Sequence, residues 1–246
     1  MEYTLETCST YKCRTICSKT IYIFDSHNMA LPIWGTYSSR LSESLNLVTF
    51  DTHTDTRNPF ARFLSRNGSE ISRRYMQDSN VQRCLNNAHY RRVDFCFEDV
   101  WSIATAEIAH DEHIKTAYDW GYLASYTIVC NQSNETVLSY QEDDVADGLP
   151  AYYISGDTWL DKCNSVIDRL NGKLLALDFD LDFFRSPNDA DERFWNSIAP
   201  LIMQSSIITI AREEECFNKE KLDPCFTNQM ALDILIEKIQ QLIFHS

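Results

Sequence analysis

Short apolar runs separated by polar segments recur along this chain and predict β-strands. Each run is rich in β-branched or aromatic residues and is followed by polar or turn-forming residues. The runs occupy residues 20–24, 45–50, 125–129, 151–154 and 206–211. A longer apolar run at residues 173–184 is typical of a strand that is buried on both faces of a parallel sheet.

Other stretches place apolar residues three or four positions apart, which predicts amphipathic helices. They lie at residues 81–89, 95–113 and 159–170, from residue 189 onwards, and at residues 227–245. Residues 1–19 show no clear period. Because strand and helix patterns alternate, we predict a three-layer α/β/α fold with a mainly parallel sheet. The length of 246 residues suits one domain spanning residues 1–246.

The amino-acid composition indicates which kinds of molecule the chain can bind. Lys and Arg together number 22 and Asp and Glu 36, so the net charge is −14. Such a charge argues against binding to nucleic-acid phosphates and favours a cationic substrate. No stretch is apolar enough to span a membrane, and the first residues do not resemble a signal peptide. The nine cysteines include no Cys-x-x-Cys pair, so we expect reduced thiols and a cytoplasmic location.

Residues 51–55 read Asp-Thr-His-Thr-Asp and directly follow the predicted strand 45–50. In an extended chain Asp51, His53 and Asp55 point to the same side, at the strand end where α/β sheets build sites. Two carboxylates and an imidazole at short range need a positive charge between them. Oxygen and nitrogen ligands without thiolate favour an ion such as Mn²⁺. For this motif alone, a solvated turn with a helix cap is the alternative.

Three aspartates, Asp178, Asp180 and Asp182, alternate near the end of the apolar run 173–184. Carboxylates this close cannot all stay ionised without a counter-charge. A pair of metal ions would supply that charge, so we interpret this motif as a second source of metal ligands.

Two further predicted strands are followed by histidine or glutamate residues, which can also bind metal ions. His27 follows strand 20–24, and Glu213 and Glu214 follow strand 206–211. For His27 alone, ordinary packing is the alternative interpretation. Taken together, acidic or histidine-bearing motifs end four strands, near residues 25, 51, 180 and 213, which indicates a binuclear metal site.

In this order the motifs resemble the ureohydrolase superfamily, which comprises the arginases, the agmatinases and related deacetylases. Residues 51–55 resemble its Asp-Ala-His-x-Asp motif, and residues 178–182 its Ser-Phe-Asp-x-Asp motif. Residues 25–32 and 177–184 are similar to the small peptide arginases of ribosomal-peptide biosynthesis. The resemblance implies an arginase/deacetylase-like fold, two Mn²⁺ ions and hydrolysis of arginine to ornithine and urea within an arginine-containing precursor peptide. The same ligands accept Fe²⁺ or Co²⁺.

The resemblance also implies roles for the residues of the first two motifs. His27 occupies the position of the histidine that binds the first ion. Asp51 bridges the two ions, His53 binds one of them, and Asp55 binds the other.

Two alignments of the third motif are open. One makes Asp180 and Asp182 the metal ligands and puts Asp178 where the family has serine. The other selects Asp178 and Asp180. After the last strand, Glu213 or Glu214 corresponds to the glutamate that binds the guanidinium group, and we count Glu213 among the catalytic residues.

The chain departs from the arginases in its histidines. No histidine shortly follows Asp55, where arginases place a proton-shuttling one. His113 is our candidate for that catalytic role, and His89 and His110 are further candidates. His110 and His113 are predicted to share one face near the end of helix 95–113, where histidines usually only offset the helix dipole.

Three other functions compete with this prediction. The nearest is a small-molecule ureohydrolase or a related metal amidohydrolase. The pair Asp178-x-Asp180 also resembles the nucleophile motif of haloacid-dehalogenase phosphatases, but that family places the motif near the start of its core domain. A non-catalytic metal-binding protein is the third. Association into a homo-oligomer is left open.

Overall fold

The computed structural model describes residues 3–57, 59–60, 62, 95–131 and 150–244. His89 and the helix predicted over residues 81–89 lie outside this part of the chain. Two compact units make up the structure, and each is assembled from segments that are distant in sequence. Unit 1 comprises Met1–Tyr11, Ser26–Leu45 and Asp55–Ala124, and unit 2 comprises Lys12–Asp25, Asn46–Thr54 and Ser125–Ser246. A single domain over residues 1–246 stays a prediction.

Unit 1 is built mainly from helices. They are α1 (Ala30–Leu41), α2 (Phe97–Ala106) and α3 (His113–Asp119), and a 3-10 turn, His27–Met29, leads into α1. Helix α1 packs against both α2 and α3. Its Trp34 is completely buried and lies against the ring of His113, with the ring centres 5.4 Å apart.

The single helix predicted over residues 95–113 is wrong, because α2 ends at Ala106. The side-chain amide of Asn28 donates to the carbonyl oxygens of Ala104, at 2.7 Å, and Ile108, at 2.8 Å. A continuing helix would have bonded these carbonyls to its own amides. His113 therefore begins α3, and His110 lies in the turn before it, so the two do not share a face of one helix.

Unit 2 contains the sheet, except that the first residues of β3 and β4 belong to unit 1. The described strands are β1 (Lys12–Ile16), β2 (Lys19–Phe24), β3 (Leu45–Asp51), β4 (Leu123–Cys130), β5 (Ala151–Ser155), β6 (Leu175–Asp180) and β7 (Ile207–Ala211). Their order is β1-β2-β7-β6-β3-β4-β5. Strand β1 is antiparallel to β2, whereas the pairs β2–β7, β7–β6, β6–β3 and β4–β5 are parallel. The predicted α/β class with a mainly parallel sheet is confirmed.

The two strands that carry the aspartate motifs are neighbours at the centre of the sheet. All residues of β3 and β6 are buried, which explains their nearly continuous apolar sequence. Val48 pairs with Leu177 and Phe50 with Phe179, so the two strands end side by side. Strand β6 is shorter than the predicted run 173–184, because a 3-10 turn, Leu181–Phe183, follows it.

Helices of unit 2 cover the apolar strand residues. They are α4 (Trp159–Leu170), α5 (Glu192–Gln204), α6 (Glu214–Glu220) and α7 (Asn228–Phe244). Ile198 of α5 and Leu235 of α7 share one buried cluster with Leu177 of β6. Among the helices described, none combines the length and the apolar character needed to cross a membrane.

We expect the substitution Asn28→Ala to lower the free energy of unfolding by about 1–3 kcal/mol, because two buried carbonyls lose a donor. Urea unfolding monitored by tryptophan fluorescence measures this change. Asn188→Ala is the control, since Asn188 is exposed and its side chain bonds no described residue. Equal losses for the two variants would contradict this role of Asn28.

Candidate metal centre

The end of β3 turns sharply because Asp51 accepts a hydrogen bond from the chain that follows it. The backbone N–H of His53 donates to Asp51 Oδ1 at 2.7 Å. An aspartate that bonds the backbone two residues on makes a tight turn without glycine. Asp51 is completely buried, whereas the side chain of His53 is 45% exposed. The turn thus directs an imidazole outwards from a buried carboxylate.

The turn that follows β6 is hydrogen-bonded to the turn that follows β3. Thr52 donates through its backbone N–H to Asp182 Oδ1, at 3.2 Å, and through its hydroxyl to the carbonyl oxygen of Asp182, at 2.8 Å. The N–H of Asp182 also donates to Asp180 Oδ1, at 3.3 Å. Because β3 and β6 are adjacent and parallel, these bonds hold their two carboxyl ends together.

Asp51, His53 and Asp182 form what we call the unit 2 cluster. His53 Nδ1 lies 3.3 Å from Asp182 Oδ2 and 3.7 Å from Asp51 Oδ1. The nearby carboxylates, first Asp182 and then Asp51, raise the pKa of His53 to about 11. The pair of aspartates therefore draws a positive charge to this point, and a proton on His53 or a cation can supply it. Asp180 offers an oxygen within 4.8 Å of one from Asp51.

His27, Asp55 and His113 form the unit 1 cluster. Asp55 Oδ2 lies 3.1 Å from Nδ1 of His27 and 3.9 Å from Nδ1 of His113, and the two ring centres are 4.2 Å apart. All three side chains are buried. Burial first, and then the charge of His27, lower the pKa of His113 well below its usual value. Its ring is therefore neutral, which is the form that binds a metal.

Asp55 holds its place through an unusual backbone conformation. Its φ of 50° lies in the left-handed region, which aspartate tolerates better than most residues. Two residues later the N–H of Arg57 donates to the carbonyl oxygen of Asp111, at 2.9 Å. The Asp111 carboxylate lies 3.1 Å from Arg57 Nε and accepts a hydrogen bond from Arg62 Nε at 3.0 Å. The chain after Asp55 is thus fastened to the chain just before His113.

Glu112, whose carboxylate is fully buried, also links the chain after Asp55 to the chain just before His113. Its two oxygens accept hydrogen bonds from the backbone N–H groups of Arg62, at 2.6 Å, and Ala109, at 3.1 Å. Sequence reasoning missed Glu112 and Asp111, because adjacent acidic residues in a predicted helix normally lie on a solvated face.

Both clusters suit a divalent cation. His113 Nε2 is a buried atom with no hydrogen-bond partner among the residues described, whereas Asp182 Oδ2 is buried and lies in an ion pair with His53. Leaving an atom such as His113 Nε2 unpaired costs about 1–3 kcal/mol. A cation in each cluster would bind these atoms, and carboxylate oxygen with imidazole nitrogen is a donor set that Mn²⁺, Fe²⁺ and Co²⁺ accept.

Asp178 lies in a different environment from the other two aspartates of its motif. It accepts hydrogen bonds from the hydroxyls of Thr49 on β3, at 2.7 Å, and Thr209 on β7, at 2.5 Å. Among the described residues it joins neither cluster. This placement favours the alignment in which Asp180 and Asp182 are ligands and Asp178 stands in the serine position.

Glu213 and Glu214 lie at the end of β7, where α6 begins. Glu213 precedes the helix with a left-handed φ of 31°, and its N–H donates to the carbonyl oxygen of Asp25, at 3.1 Å. Glu214 is exposed. Burial, and next the charge of Glu213, raise the pKa of Cys216 to about 12. Glu213 thus brings negative charge to the carboxyl end of the sheet.

The described part of the chain is therefore an α/β protein with two carboxylate–imidazole clusters suited to divalent cations. No family model matches the sequence. No curated protein matches it either. Among solved structures, proclavaminate amidino hydrolase from Streptomyces clavuligerus is similar in fold, with a TM-score of 0.49 and 11% identity. The match covers 90% of this chain but 63% of that protein, which is less than two thirds of its length.

The two alignments of the third motif predict opposite effects for a matched pair of substitutions. We expect Asp182→Asn to weaken Mn²⁺ binding by more than about tenfold, because one anionic ligand is lost. Asp178→Asn should leave the affinity unchanged, because the amide can still bond the two threonine hydroxyls. Isothermal titration of the metal-free proteins with Mn²⁺ measures both. The reverse result would select Asp178 as the ligand.

Proposed function

We propose that this chain is a divalent-cation-dependent hydrolase that converts peptide-bound arginine to ornithine and releases urea. The observation that carries the proposal is the unit 2 cluster, in which buried Asp51 and Asp182 face the half-exposed ring of His53. Cation ligands at the carboxyl ends of adjacent parallel strands, one of them half-exposed, suit a metal-assisted hydrolase.

The chain's own residues would hold two Mn²⁺ ions. Asp51, His53, Asp180 and Asp182 would hold one of them within unit 2, and His27 and Asp55 would hold the other within unit 1. When bound, such ions would supply Lewis acidity and lower the pKa of water towards neutral pH. Thr52 donates a hydrogen bond to Asp182, and the turn at Asp51 fixes the backbone of His53.

The chemistry of the substrate fits the charge of the chain. A guanidinium group stays protonated at any working pH, so carboxylates recognise it. Glu213 is proposed to bind this group, with Glu214 as the alternative. Water adds to the guanidinium carbon, the bond from that carbon to the side-chain nitrogen breaks, and the leaving amine takes up a proton. The products are urea and the ornithine ammonium. The net charge of −14 would attract a cationic peptide.

The peptide substrate is supported by sequence resemblance, in residues 25–32 and 177–184, to the small peptide arginases. A second candidate is a small-molecule ureohydrolase that acts on free arginine or a related amine. A protein that binds the cation without catalysis is a third, and the exposure of His53 speaks for an active site over a purely structural ion.

The first experiment measures urea released by Mn²⁺-loaded protein, with free arginine in one reaction and an arginine-containing precursor peptide in another. We expect urea and a peptide mass lower by the mass of one cyanamide unit for each arginine converted. Asp182→Asn should abolish release and Asp178→Asn should retain it. Urea from free arginine would move the assignment to a small-molecule enzyme, and no urea from either substrate would overturn the proposed reaction.

We expect Glu213→Gln to raise KM for the peptide by roughly tenfold to 100-fold, since a charge-assisted hydrogen bond to the guanidinium contributes about 1.5–3 kcal/mol. Steady-state urea release measures this change. Glu220→Gln, which alters the end of the same short helix, is the control and should leave KM unchanged. An unaltered KM for Glu213→Gln would redirect the search to Glu214.

A further inference from the structure

We propose that His113 is a metal ligand, so that His27, Asp55 and His113 bind one divalent cation as a set of two imidazoles and one carboxylate. This inference rests on the cation-binding part of the proposed function and is independent of the substrate. It differs from the proton-donor role that the sequence predicts for His113. It also adds a ligand that the motif comparison does not assign.

The first argument is the hydrogen bond that orients the ring. His113 Nδ1 lies 2.7 Å from the carbonyl oxygen of His110. A carbonyl oxygen only accepts, so Nδ1 donates its N–H there, and Nε2 is the ring nitrogen left to bind a cation. A ring held at one nitrogen by a carbonyl, with the other nitrogen unprotonated, is the usual arrangement of a histidine that binds metal.

The second argument is burial without a partner. The His113 side chain is completely buried, and its Nε2 bonds no group in the described part of the chain. A residue that exchanges protons with substrate or solvent needs a nitrogen that they can reach. A buried nitrogen of this kind suits a cation, and His27, Asp55 and His113 offer ligand atoms within 4.8 Å of one another.

The third argument is that the surroundings hold Asp55 and His113 in place. Arg57 and Asp111 connect the two segments through a backbone hydrogen bond, and Glu112 bonds the backbone N–H of Arg62. Trp34 packs against the His113 ring, with the ring centres 5.4 Å apart. Two imidazoles and one carboxylate with open positions are typical of sites for Fe²⁺ and similar ions.

The test measures cation binding to the unit 1 cluster in a protein that already carries Asp182→Asn, the substitution expected to weaken binding to the unit 2 cluster. We call this protein the background. In that background we expect His113→Asn to weaken Mn²⁺ binding, measured by isothermal titration, by more than about 100-fold, beyond the 10–100-fold typical of groups that only support a ligand. The asparagine amide can still donate to the His110 carbonyl. His113→Gln, which places an amide oxygen near the Nε2 position, should recover part of the affinity.

His110→Asn is the matched control, because it changes an imidazole three residues away and keeps the backbone carbonyl that His113 uses. We expect it to retain the Mn²⁺ affinity of the background protein. Unchanged affinity in His113→Asn together with lost urea release in the otherwise unmodified chain would overturn the ligand role and support the proton donor. Lost affinity in a protein that releases no urea from any substrate would support the ligand role while the proposed reaction fails.

A second measurement does not depend on how the variants fold. Nitrogen-15 spectra of histidine-labelled protein without substitutions report the protonation of each ring nitrogen. On titration with diamagnetic Zn²⁺, we expect the Nε2 signal of His113 to move from the unprotonated to the metal-bound frequency while Nδ1 stays protonated. Ring signals of His113 that do not change at saturating Zn²⁺ would overturn the proposal.

Discussion

The candidate site depends on one electrostatic constraint, the crowding of buried carboxylates where β3 and β6 end. Asp51 and Asp182 are buried and share a single imidazole. Such a pair is stable only with a positive charge between its members. Thr52 and the turn at His53 oppose the repulsion by holding the carboxylates with hydrogen bonds. The strand pairing fixes where these turns lie, so the sheet determines the geometry of the site.

The sequence predicts well those features that arise from local patterns. The mainly parallel sheet follows from apolar runs whose residues the structure buries on β3 and β6. Helix α4 occupies the predicted residues 159–170 and is followed by Gly172 at a φ of 73°, a conformation that glycine adopts without strain. The carboxylate motifs can be recognised in the sequence because they stand at the ends of runs that predict strands. The alternation of side chains along a strand places the carboxylates of each motif on one side.

The features that escaped prediction depend on contacts between distant segments. Strand β1 has mostly exposed residues, so no apolar pattern marks it, and only pairing with β2 defines it. The end of α2 is set by Asn28, more than seventy positions earlier in the chain. The environment of Asp178, which bonds threonines on both neighbouring strands, likewise cannot be read from its motif.

The unequal exposure of the two clusters implies different routes for metal exchange. In the unit 2 cluster the ring of His53 is 45% exposed, so rotation of one side chain opens the coordination shell to a chelator. All side chains of the unit 1 cluster are buried, and exchange there requires local opening of the surrounding backbone. An ion in the unit 2 cluster would therefore exchange faster than an ion in the unit 1 cluster.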